Sequence, residues 1–209
     1  GVEGGGCCVS VEPGEDIQQA VDQVVAAGGG GVTLCAGIHG VQGGIRIGNT
    51  ANLVVQGTGP ATVVRFSGMG NDGHGGFVLD GSHRITLREM ALVTASAPAL
   101  VTVLHGADMV PSREITVRDV TMVNLTDEPE PGTPFPCGIR MGHADSVTVD
   151  RCRIVGGAGL VALWGNTLTP VAGGGDGDGG DGQVPSAGVV TFDDLAPGTE
   201  IRQGTQATS

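Results

Sequence analysis

Three ten-residue segments carry the same alternation of apolar and polar positions: RITLREMALV from Arg84, EITVRDVTMV from Glu114 and SVTVDRCRIV from Ser146. Their starts lie 30 and then 32 residues apart, so the pattern holds while the spacers change length. Alternation with period two marks strands with one buried face. Its repetition at near-constant spacing marks a stacked array whose variable parts loop outward. Further short, β-branched, alternating runs surround these segments, from GVTLCAG, GGIRIGN and ANLVVQG through TVVRFSG and GGFVLDG to CGIRMGHA. Within them a turn of fixed length recurs: six residues separate Ile47 from Leu53, Leu79 from Ile85 and Met141 from Val147. Fixed short turns with variable long ones are what a coil of parallel strands demands. Inward residues of each lap must keep register with the lap below, while outer loops are free to grow. An antiparallel sandwich is the alternative, and it has no reason to keep one turn length at one place in three laps. The repeat aligns Met90, Val120 and Cys152, which are expected to point inward at one corner and stack.

A different period opens the chain. In EDIQQAVDQVVAAGGGG, Ile17, Ala20, Val21, Val24 and Val25 fall on one helical face, with Asp16 at the start and Gly28 as the stop, predicting a helix over about residues 16–27. Ile17, Val21 and Val24 are expected to lie over the open end of the first lap and shield its strand edges. This run, continuing through GVTLCAG into NLVVQGTGPATVVRF, resembles the start of right-handed parallel β-helix proteins of the pectin-lyase-like superfamily. The resemblance covers about residues 8–165. It implies an all-β fold, a right-handed parallel β-helix with an N-terminal capping α-helix. It is nearly silent on chemistry, because that superfamily holds pectate lyases, polygalacturonases, epimerases, phage tailspikes and adhesins.

The expected organisation is a β-helix domain over residues 1–170, a linker over 171–186, and a tail over 187–209. The linker contains GGGDGDGGDG, a Gly and Asp run that cannot bury a core. It is a single copy without the apolar position of stacked calcium-binding repeats, and a count from Asp176 places no Glu where an EF-hand needs one. The tail's VVTFDDLAPGTEI resembles the opening strand of a bacterial β-sandwich module left unfinished; a disordered tail is the alternative.

Composition narrows the partners. The chain has 209 residues, enough for one large domain or a domain with an appendage. Its 40 glycines follow no period of three and fit many tight corners. Acidic residues number 22 against 10 basic ones, all Arg, for a net charge of -12. That balance argues against nucleic acid and anionic membranes as partners. It suits a solvated extracellular or cell-surface protein, or a cation site. No apolar run reaches the roughly 18 residues that span a bilayer, and GVEGGGCCVS lacks the basic and apolar regions of a signal peptide. The five cysteines leave at least one unpaired within the chain and show no zinc-ligand spacing. An N-terminal disulfide and small buried hydrophobes are the two readings for them.

Candidate chemistry concentrates in the turns. Asp80 and His83, His105 and Asp108, and His143 and Asp145 occupy corresponding turns, so stacking would gather imidazoles and carboxylates on one edge, enough for acid–base work or a metal. The plainer reading is that turns simply accept Gly, Asn, Asp and His. Arg46 and Arg140 take the outward middle position of equivalent strands, where a guanidinium would match the carboxylate of an acidic sugar. Val78 and Thr102 intervene between them, and two solvated surface arginines are the plainer reading. Gly73-His74-Gly75 matches the Gly-His-Gly motif of polygalacturonase-like hydrolases, but that family's preceding aspartate motifs are missing, so it reads as a chance match in a Gly-rich loop. The loop TDEPEPGTP holds Asp127, Glu128 and Glu130, weak candidates for calcium that read first as a solvated rigid loop. With no Tyr and one Trp, Trp164, few aromatic faces are offered to a sugar. The expectation is a module of a secreted or surface multidomain protein that binds a polysaccharide or a protein partner without clear catalytic machinery. The alternatives are a lyase or hydrolase acting on an acidic polysaccharide, and a rigid fibre segment. A trimer-forming spike should show a long exposed apolar face, and none is visible in the sequence.

Overall fold

The structure, a computed structural model, describes residues 7–126, 136–142 and 144–156 in full, and the backbone of 158–163, 166–168, 189–190 and 200–203. The described strands form two sheets and are mostly parallel. A six-stranded flat sheet lines up β4 (Gly44–Gly48), β7 (Gly76–Asp80), β9 (Ala99–Leu104), β11 (Cys137–Gly142) and β14 (Ala158–Leu163), with β16 (Val189–Val190) antiparallel on the last. The eleven-stranded sheet is bent into two arms. Its near arm holds β1 (Cys7–Val11), β2 (Gly30–Leu34), β5 (Ala51–Gln56), the first halves of β8 (His83–Thr94) and β10 (Ser112–Asn124), and β12 (Ala144–Asp150). Its far arm holds β3 (Gly37–Gln42), β6 (Thr62–Ser67), the second halves of β8 and β10, and β13 (Arg153–Val155). Two further strands, β15 (Asn166–Leu168) and β17 (Glu200–Gln203), pair with each other, and β17 also runs antiparallel on β12. The tail strands β16 and β17 thus lie on the last parallel strands, while the linker expected at 171–186 falls outside the described residues.

The chain visits flat sheet, near arm and far arm in the same order in each circuit. Single residues in the left-handed region make the corners. Asn52, Arg84, Glu114 and Ser146, with φ of 60, 55, 54 and 58°, stack in register at the entry to the near arm. Glu89, Asp119 and Arg151, with φ of 57, 53 and 47°, stack where the sheet bends. Such conformations are uncommon for residues with a Cβ, and their recurrence at one place per circuit shows that the circuit geometry selects them.

Inward residues stack by type. Ile47, Leu79, Val103 and Met141 form one buried column, and Leu53, Ile85, Ile115 and Val147 another. The six-residue spacing is the turn joining these columns, and the third circuit departs from it through residues 105–111. Met90 and Val120 pair in register and are buried; Cys152, next in line, packs against the core but is half-buried. Among the described residues no far-arm strand follows β13 to cover that position from the other side. The five cysteines form no disulfide.

Helix α1 (Ile17–Ala26) closes the first circuit and packs against β1, β2, β4 and β5. Asp16 caps it, its Oδ1 accepting the N–H groups of Gln18 and Gln19 at 2.8 and 3.2 Å. Gly28, at φ 91°, ends it by turning its N–H back to the Val25 carbonyl. Ile17, Ala20, Val21 and Val24 are buried in the core, and Val25 is half-buried.

Candidate functional site

The outward surface of the flat sheet is where polar chemistry and enclosure coincide. In most strands the outward residues are half-buried or exposed, but along β7, β9 and β11 both faces are buried except at Leu104. The central outward column of this sheet reads Arg46, Val78, Thr102 and Arg140 on successive strands. Arg46 and Arg140 are thus three ladder steps apart, about 14 Å. Arg140 is buried, whereas the Arg46 side chain is about half exposed (56%).

Arg46 anchors a polar lattice. Its Nη2 and Nε donate to Asp80 Oδ2 at 2.6 and 3.2 Å, and its Nη1 donates to Asp72 Oδ2 at 2.8 Å. The hydrogen bond to Asp80, with the charges of Asp80 and Asp72, raises the guanidinium's pKa above its ordinary value despite partial burial. Asp80 ends β7 and its side chain lies over Gly48 on β4, where a Cβ would stand 2.6 Å from Oδ1. Glycine at 48 is therefore what admits the carboxylate. Asp72 comes from the loop between β6 and β7. Its Oδ1 accepts the His74 N–H at 3.0 Å, while the Gly70 N–H donates to the His74 carbonyl at 2.6 Å. The loop thus folds on itself and presents Asp72 and His74 together. Arg46, Asp72, His74, Gly44, Asn71 and Val78 are among the residues lining a pocket of about 210 Å³. Two side-chain atoms here, Asp80 Oδ1 and His74 Nδ1, are buried without a hydrogen-bond partner.

The turn residues are distributed differently. Asp80 faces back to Arg46. His83 begins β8, and its register neighbours are Ala51 and Arg113, with Asp145 beyond Arg113. His105 and Asp108 lie in the excursion of residues 105–111, where His105 Nδ1 is 2.9 Å from the Gly106 carbonyl oxygen and Asp108 is exposed at φ 55°. His143, Asp127, Glu128, Glu130 and Trp164 lie outside the residues described in full. Among the described residues no group of three or more His, Cys, Asp or Glu is placed to hold a metal ion.

Sequence reasoning named Arg46 and Asp80 separately, set His74 aside and did not name Asp72. The available signal was NDGHGG, an Asp-Gly-His turn. Its long-range partner, Arg46, is 26 residues upstream of Asp72 and becomes visible only through strand register. No protein-family model, no curated protein and no solved structure matches the chain.

Proposed function

We propose that the chain is a right-handed parallel β-helix of pectin-lyase-like type, a module of a secreted or surface multidomain protein that binds carbohydrate on the outward face of its flat sheet. The recurring three-surface circuit, the stacked left-handed corners and the helix over the first circuit support the fold reading. The observation that carries the binding reading is the lattice of Arg46, Asp72 and Asp80 beside His74 and Val78. Planar carboxylate and guanidinium groups, locked by one another, offer fixed acceptors and donors to the hydroxyls of a sugar. Arg46 already faces two carboxylates, which favours a neutral sugar over an acidic one at this pocket.

Calorimetric titration with neutral and uronic oligosaccharides tests this. Binding of a neutral oligosaccharide that weakens about tenfold in Asp72→Ala, the loss of one or two hydrogen bonds, supports the reading. Affinity for no oligosaccharide, or affinity indifferent to Asp72→Ala and His74→Ala, overturns it.

His74 favours a second reading, cleavage of a polysaccharide. An imidazole whose Nδ1 lacks a partner, in one pocket with the Asp72 carboxylate, is the material of acid–base catalysis. Release of new reducing ends or of unsaturated product from the same oligosaccharides, lost in His74→Ala, would replace the binding reading by the enzymatic one.

A further inference from the structure

Helix α1 packs against β1, β2, β4 and β5, and β3, the first strand of the far arm, is not among them. One edge of β3 pairs with β6; on the other edge, among the described residues, no strand follows. The phase of the pairing is fixed at both ends, where the Gly37 N–H donates to the Ala61 carbonyl at 2.8 Å and the Gly43 N–H to the Ser67 carbonyl at 2.7 Å. Alternation along a parallel strand then turns the N–H and C=O groups of Gly37, His39 and Val41 toward β6, and those of Ile38, Gly40 and Gln42 away from it. Among the described residues, none of this second set meets a hydrogen-bond partner. The open edge borders a groove of about 490 Å³, with Gly40, Val41, Gln42 and Gly44 on one side and residues 14–18 on the other. A Cβ built on Gly40 would meet nothing within 4 Å, so another chain has room to approach the strand. Glu15 and Asp16 line the groove and are exposed. Residues 7–45 hold Glu12, Glu15, Asp16 and Asp22 and no basic residue beyond His39.

We propose that the free edge of β3 is a docking site for an extended, basic segment of a partner protein, which adds to the far arm as one more strand. An uncovered strand edge is a template for pairing, and proteins ordinarily blunt or cover it. Backbone groups of Ile38, Gly40 and Gln42 would supply the hydrogen bonds, and side chains alternating along the added strand would supply the selectivity. One row of those side chains faces residues 14–18, where Lys or Arg would meet Glu15 and Asp16. The other row lies beside Ile38, which is 58% exposed, and suits apolar residues. Charge decides between this occupant and a second copy of the chain. Two copies joined edge to edge would bring the same acids together, whereas the net charge of -12 draws a basic segment in from a distance. The proposal does not rest on the carbohydrate reading.

Amide hydrogen exchange followed by NMR tests this, with a short end-blocked peptide that alternates Lys and Val, one that alternates Glu and Val, and a peptide of Lys and Val in two blocks. In the free chain the Ile38, Gly40 and Gln42 amides should exchange fast, while those of His39 and Val41 are protected by β6. The alternating Lys–Val peptide should protect Ile38, Gly40 and Gln42 saturably, and the other two peptides should not. Gly40→Pro, which removes a donor at an edge position that tolerates proline, should weaken binding at least about tenfold. Gly40→Ala should stay within about twofold, because its methyl meets open space. Glu15→Gln, which keeps the acceptor that holds the Glu12 N–H, should weaken binding roughly threefold at low salt and less at high salt. Protection of the three amides in the free chain at every concentration overturns the proposal, as does their failure to respond to the Lys–Val peptide. Equal protection by the Glu–Val peptide, or protection that grows with protein concentration alone, overturns the basic occupant, the latter in favour of a second copy. Asp72→Ala should leave peptide binding unchanged, so failure at this edge and failure at the Arg46 pocket are read separately.

Discussion

Gln18 holds the main chain of Arg46 at both ends of one side-chain amide: its Oε1 accepts the Arg46 N–H at 2.6 Å, and its Nε2 donates to the Arg46 carbonyl at 2.9 Å. A neighbouring strand would satisfy the same edge with its own backbone. Strand β4 begins the flat sheet, so the capping helix replaces the missing strand at its centre. Gln18→Ala should cost about 1–2 kcal/mol, two hydrogen bonds' net worth, and should speed aggregation through the uncovered edge. Gln23→Ala, exposed on the same helix, should do neither. Urea unfolding with light scattering checks both.

A ladder of hydroxyls runs inside the corner between the flat sheet and the near arm. Ser82 Oγ accepts the Thr50 N–H at 3.4 Å and donates to the Ile47 carbonyl at 2.9 Å. Ser112 Oγ in turn accepts the Ser82 N–H at 3.1 Å and donates to the Leu104 carbonyl at 2.6 Å. Both serines are fully buried, so no water replaces a lost partner. Ser82→Ala and Ser112→Ala should each cost about 1–3 kcal/mol in chemical denaturation, the penalty for orphaned buried groups. Ser96→Ala, at an exposed position, should cost far less.

Gly48 controls the candidate site from below. A Cβ there meets Asp80 Oδ1 at 2.6 Å, so Gly48→Ala must push the carboxylate off Arg46. Carbohydrate affinity at the pocket should then fall about as far as in Asp80→Ala, roughly tenfold. Gly31→Ala, where a Cβ would make only an ordinary contact with Cys8 Sγ, should leave affinity unchanged. Calorimetric titration of the two variants separates the outcomes.

Burial sets an alkaline limit on stability. It pushes the thiols of Cys137 and Cys152 from their ordinary 9.0 up to about 11. Below pH 9.0 both folded and unfolded chains keep these protons; between 9.0 and about 11 only the folded chain does. Stability should therefore be intact below the lower value and fall as pH rises through this window. Urea midpoints across that range check the slope, and Cys152→Ala should flatten it. A thiol-reactive reagent near neutral pH should label exposed Cys8 in the native protein and Cys137 only on unfolding.

The circuit was legible in the sequence because burial imposes period two on every strand and the circuit length repeats. Ile47, Leu53, Leu79 and Ile85 announce themselves this way. Polar relationships were not, since they depend on which strands become neighbours. Arg46 and Asp80 are 34 residues apart and read singly as a surface arginine and a turn acid. Thr50, Ser82 and Ser112 look like ordinary turn residues until register shows them stacked inside. The same holds for apolar residues that face outward. On the far arm Val155, 39% exposed, stands in line with half-buried Val123 and Val93, an apolar run that no single strand reveals. Cys152 followed the inward pattern but is only half-buried, because its cover depends on a strand beyond it rather than on its own segment.

Chemical-shift mapping of the protein with a bound neutral oligosaccharide tests the central claim most directly, since the flat-sheet pocket and the turns lie on different residues. The account predicts perturbations centred on Gly44, Asp72, His74 and Val78, with the His74 imidazole responding and His83 and His105 unmoved. Perturbations centred on His83, His105, Asp108 and Asp145, with Asp72 and His74 silent, would contradict it.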